Sequence, residues 1–202
     1  TKTIAKRNGN RFSMSGEKTF ITGADVSDYC LVVARTTPHD QVARKTDGFT
    51  LFAVDLKKKG VDMQRVRISI PLPEEQWTLF FDDVDLGPED VVGHVDEGFN
   101  ILFDSLNPER IILGALCCGI GRFALNKAVT YANERTVFDQ PIGAHQGVQH
   151  PLAKAYTNVE LASLMTRRAA WEFDRELPAG ESSNMAKYAA AEAGIEAVDA
   201  AL

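Results

Sequence analysis

Asp96-Glu97-Gly98-Phe99-Asn100-Ile101-Leu102-Phe103-Asp104-Ser105-Leu106 is the stretch where the apolar period of this chain changes. Before it, short apolar or alternating runs are separated by turn residues, the pattern of strands. From it onward Phe99, Leu102, Phe103 and Leu106 fall on one helical face. Ile112, Leu116, Ile120, Phe123 and Ala124 continue at spacings of three and four. A strand-type half followed by a helical half predicts an α+β chain with domains over residues 1–97 and 98–202.

Upstream, the strand pattern covers 11–14, 18–22, 29–35, 48–55, 61–66 and 77–84. The turns between carry Asn8-Gly9-Asn10, Ser15-Gly16, Pro38-His39-Asp40, Lys59-Gly60 and Pro71-Leu72-Pro73. Short strands joined by tight turns predict an antiparallel β-domain. The basic run Lys57-Lys58-Lys59 ends at Gly60 and reads as a solvated hairpin tip.

Downstream, Asn107-Pro108-Glu109-Arg110 has the form of a helix restart or kink, with Asn as cap and Pro at the first helical position. Further helices are expected from about 144 to 175 and from 182 to the end, parted by Leu177-Pro178-Ala179-Gly180. Gly119-Ile120-Gly121-Arg122-Phe123-Ala124 fits the dinucleotide pattern G-x-G-x-x-A, but that pattern needs a strand before it. Residues 111–118 are helix-periodic, so these glycines are expected to serve close helix packing.

A net charge of -6 argues against nucleic-acid binding, which needs clustered Lys and Arg. Cys30, Cys117 and Cys118 make an odd set, read as small apolar core residues in a reducing compartment. The four histidines hold no i, i+4 pair and no cysteine cluster supports them, so no metal is expected. No G-x-S-x-G elbow supports hydrolase chemistry. No apolar stretch of about 18 residues is apparent, so no membrane span is expected. An acidic chain without a targeting pattern leans towards a bacterial-type cytoplasm, or the mitochondrial matrix in a eukaryote. On physical grounds alone Glu109 is an acid near a helix N-terminus and Arg135 a cation closing a helix.

Gly16-Glu17-Lys18-Thr19-Phe20-Ile21-Thr22-Gly23-Ala24, Asp47-Gly48-Phe49-Thr50-Leu51-Phe52, Asn107-Pro108-Glu109-Arg110-Ile111 and the run 131–152 resemble, in order and spacing, landmarks of the acyl-CoA dehydrogenase family. The resemblance implies a middle β-domain, barrel-like or sandwich, followed by part of an up-and-down four-helix bundle. It implies a FAD enzyme that oxidises acyl-CoA thioesters, assembled as a homodimer or homotetramer, with an electron-transfer flavoprotein as acceptor. Phe20, Ile21 and Thr22 match the segment against the flavin, Thr22 as a hydrogen-bonding group and Phe20 as cover for one ring face. Arg135 matches the arginine that meets the FAD pyrophosphate of a neighbouring subunit, and Phe138 and Gln146 match further FAD contacts. Asp139 stands where the family usually has glycine. Glu109, beside Arg110, matches the position from which a minority of members draw their catalytic base; in most members that base lies further along, past Leu202. The resemblance leaves open same-fold acyl-CoA oxidases, nitroalkane oxidases and flavin monooxygenases, and a non-catalytic scaffold.

Overall fold

The computed structural model describes residues 2–69 and 73–202 and resolves them into two compact units, residues 1–102 and 103–202. Pro71 and Leu72 of the expected Pro71-Leu72-Pro73 turn lie outside the described residues.

The first unit is a seven-stranded sheet in the order β5-β6-β2-β1-β3-β4-β7. Its strands are β1 (Ile4–Asn8), β2 (Arg11–Thr22), β3 (Tyr29–Arg35), β4 (Phe49–Asp55), β5 (Val61–Val66), β6 (Gln76–Leu86) and β7 (Val91–Val92). All pairings are antiparallel except β1 with β3, where Ile4 pairs Arg35 in parallel. Strand alternation puts Ala5, Phe12, Met14, Val32, Ala34, Phe52, Val54, Leu79, Val84 and Leu86 into one core. Phe12 meets Phe52 edge-on at 5.3 Å, and truncating a ring so fully buried costs about 3–5 kcal/mol.

The structure departs from the sequence reading at three places in this unit. β1 lies ahead of the first expected strand and pairs with β2 through the two-residue Gly9-Asn10 turn. The strands expected at 11–14 and 18–22 are one continuous strand, because Ser15-Gly16 is a bulge rather than a turn. Gly16 has φ +139, and a Cβ there would stand 2.7 Å from Thr3 Cα, just ahead of β1. Lys58 is not solvated: its ammonium pairs with the Asp90 carboxylate and its side chain is only 27% exposed, whereas Lys57 and Lys59 do face water.

The second unit holds α1 (Gly98–Glu134, from Phe103 on), the short hairpin β8 (Thr136–Val137) and β9 (Gln140–Pro141), α2 (Gln146–Asp174) and α3 (Gly180–Ala201). The expected restart at Pro108 is absent, and α1 runs through the proline without a new cap. Instead of capping, Asn107 Oδ1 accepts a hydrogen bond from Arg110 Nη1 at 3.2 Å. Small residues set the helix spacing: Ala155, Val159 and Ala162 of α2 and Ala190, Ala193 and Ala197 of α3 are buried with Cys118 and Leu125 of α1. All three cysteines are free, and burial pushes the Cys30 and Cys118 thiols up.

α1 also corrects the expectation about apolar length. It spans 37 residues, and its most apolar 18-residue window has a mean hydropathy of 1.4, enough by length and composition alone to cross a membrane. Its apolar stripe Ile112, Leu116, Ile120 and Phe123 is exposed.

Candidate functional site

Phe20, Ile21 and Thr22 end β2 beside a second bulge, where the register to β6 slips between Lys18–Leu79 and Ile21–Trp77. The slip forces Phe20 to φ +60, a conformation bulky side chains rarely adopt. Its ring is left 65% exposed, while Ile21 turns into the core. Thr22 is exposed and pairs in register with Gln76 of β6. The Thr22 hydroxyl donates to Gln76 Oε1 at 3.2 Å, and Gln76 Nε2 donates to Thr22 Oγ1 at 3.0 Å. Two residues before Phe20, burial lowers the Lys18 ammonium's pKa. The strand end thus presents an aromatic face and a neutral hydroxyl, a donor set that suits a flat heteroaromatic ring system such as isoalloxazine.

In the second unit Glu109 is exposed on α1 and, among the described residues, its carboxylate makes no hydrogen bond or ion pair. Its neighbour Arg110 is half-buried, held by Asn107 and stacked with its guanidinium carbon 5.5 Å from the Phe103 ring centre. Glu109 heads the exposed stripe of Ile112, Leu116, Ile120 and Phe123, at spacings of one helical face.

Arg135 and Phe138 belong to one hairpin, and Gln146 opens the helix that follows it. Arg135 N donates to Tyr131 O as α1 ends, and Ile142 N donates to Arg135 O, closing the base of the β8–β9 hairpin. Phe138 and Asp139 form its tip with φ +55 and +62, the positive pair a type I′ turn requires. Asp visits that conformation more readily than most residues, so the carboxylate in place of glycine is compatible with the turn. Phe138 is 86% exposed. Gln146 opens α2, whose first-turn amides carry partial positive charge, and the exposed Arg135 guanidinium has no partner among the described residues. An unpaired guanidinium and the N-terminus of a helix are each chemistry suited to a phosphate.

The sequence reading missed Gln76, and it named Asn107 as a helix cap and Phe103 as part of an apolar face rather than as partners of Arg110. Gln76 is recognisable only through strand register. The other two follow from helical spacing, since Asn107 and Phe103 lie three and seven residues before Arg110.

The family profile of the acyl-CoA dehydrogenase middle domain matches residues 1–84, and that of the C-terminal domain matches 96–202. Acyl-CoA dehydrogenase FadE12 of Mycobacterium tuberculosis is 43% identical over 202 residues, which is 99% of this chain and 51% of that protein. A 3-(aryl)acrylate reductase of Clostridium sporogenes is 34% identical over 205 residues, covering 99% of this chain and 52% of its own length. A glutaryl-coenzyme A dehydrogenase bound to glutaryl-CoA superposes with a TM-score of 0.88 at 29% identity, over 100% of this chain and 50% of that one. The chain spans about half the length of the curated relatives it matches. With both halves matched in family order, the chain belongs to the acyl-CoA dehydrogenase family.

Proposed function

We propose that this chain is the β-domain and first bundle helices of a FAD-dependent enzyme that introduces an α,β double bond into an acyl-CoA thioester. The observation that carries this reading is the unpartnered Glu109 carboxylate on α1, beside a tethered arginine and in the family's alternative base position. Glu109 takes the α-proton of the thioester, its carboxylate being free of any ion pair or hydrogen bond among the described residues. Arg110, fixed by Asn107 and Phe103, gives that end of the site positive charge. Phe20 and Thr22 hold the flavin ring, and Arg135, Phe138 and Gln146 take the pyrophosphate side of FAD in a homo-oligomer. The flavin, when bound, supplies the acceptor for the β-hydrogen, transferred as hydride. An electron-transfer flavoprotein is the proposed reoxidant.

The test is anaerobic stopped-flow absorbance of the FAD-loaded holoenzyme, wild type beside E109Q, against a panel of acyl-CoAs. Wild type is expected to lose its flavin absorbance, and E109Q to do so slower by roughly 10²–10⁴-fold, the usual worth of a positioned base. Equal rates place the base elsewhere in the protein. Bleaching by no acyl-CoA overturns the substrate class, and rapid reoxidation by oxygen favours an oxidase.

A further inference from the structure

Gln76 is a buried amide at the start of β6, 8% exposed, facing the hydroxyl of Thr22, a residue exposed to solvent. Both polar atoms of its side chain lie within hydrogen-bonding distance of one oxygen, Thr22 Oγ1. That hydroxyl has a single proton. Without an outside acceptor the proton closes onto Gln76 Oε1. When an outside acceptor arrives, the proton is free to turn towards it, because the oxygen stays anchored by the Gln76 Nε2–H at 3.0 Å. A hydroxyl that accepts one hydrogen bond donates a stronger one. Threonine's branched Cβ restricts χ1 and so holds the oxygen in place.

We infer that Gln76 is a positioning residue, which orients and polarises the Thr22 hydroxyl as a hydrogen-bond donor to the flavin ring. The inference rests on the reading above in which Thr22 meets the flavin. Gln76 itself touches no reacting atom. Its effect therefore passes entirely through Thr22 and changes how the ring is held in its oxidised and reduced forms.

Spectroelectrochemical titration of bound FAD in the holoenzyme tests this with wild type, Q76M, T22V and the Q76M/T22V double variant. Q76M is expected to shift the two-electron midpoint by about 30 mV, the equivalent of a tenfold change in the oxidised-to-reduced ratio. In the T22V background the same substitution is expected to shift nothing. A wild-type potential in Q76M, or a shift that persists undiminished without the Thr22 hydroxyl, overturns the inference. A wild-type potential in T22V overturns the placement of Thr22 against the flavin instead, and a holoprotein that takes up no FAD overturns the site altogether. Q76T keeps a strand-favouring residue while shortening the side chain. It is expected to reproduce the Q76M shift and serves if Q76M fails to fold.

Discussion

Phe20 holds φ +60 within a strand, where an L side chain crowds the following carbonyl at a cost of about 1–2 kcal/mol. Such strain persists where surrounding structure imposes it, and here the bulge and the packing of half-buried Ile21 on the core do so. In ordinary positions alanine is the more stabilising residue, because glycine loses more backbone entropy on folding. At this position the order is expected to reverse: F20G should unfold at higher temperature than F20A, by about 1 kcal/mol. Thermal melts of the two variants decide it, and FAD titration should show both binding more weakly than wild type. If F20A is the more stable, the left-handed backbone is not retained. The role of Phe20 was legible in its motif, but its backbone was not, since a bulge is a property of two strands. Gln76 escaped notice for the same reason. It lies 54 residues from Thr22, and only the pairing of β2 with β6 makes them neighbours.

Among elements, the paired glycines of α1 separate packing from mere tolerance. A Cβ on Gly121 would stand 2.9 Å from Val159 Cγ2 and 3.3 Å from Ala197 Cβ, both on well-buried residues of neighbouring helices. A Cβ on Gly119 meets nothing within 4 Å. G119A is therefore expected to stabilise by about 0.5–1 kcal/mol through helix propensity, and G121A to destabilise by about 1–3 kcal/mol through overpacking. Chemical denaturation of the two variants checks this, and equal effects would show that the seam yields freely. The sequence reading placed these glycines inside a helix because the residues before them keep a helical period. It also found β3 and β5 to the residue, since β3 is an apolar run and β5 opens straight after the Lys59-Gly60 turn with apolar Val61 and Met63 alternating with polar residues. It broke β2 at Gly16 and expected a restart or kink of α1 at Pro108, where the helix does not restart, because local turn and cap signals carry no information about the neighbours that override them.

For the whole chain, hydrogen-bonded carboxylates set the response to acid. Hydrogen bonds from Lys57 to Asp28, from Ser13 and Ser15 to Asp83, and from Arg11 to Asp85 hold these groups below their ordinary values. Ser182 with Arg168 does the same for Glu172, and Lys154 with Asn158 for Glu196. A carboxylate depressed in the folded state binds fewer protons there than when unfolded. Its contribution is complete above the unfolded carboxylate range, near about 4, and is lost as pH falls through the lower folded value. The thermal midpoint is expected to fall as pH drops from about 6 towards 3, less steeply in high salt because Asp28, Asp83 and Asp85 are exposed. A flat profile across that range would contradict the assignment. Family landmarks carried most of what was readable at this scale; burial did not, and the exposed stripe of α1 is visible only once its neighbours are in place.

The close seam at Gly121 also makes α1 intolerant of changes in length. Each helical residue advances the face by 100°, so one residue inserted between Gly114 and Gly121 would carry Gly121 away from Val159 and Ala197 and bring a bulkier neighbour into their space. Seven residues would restore the face to within about 20°, whereas the connection from Arg175 to Ala179 can change length without turning any helix. Phase, more than residue identity, is what α1 has to preserve.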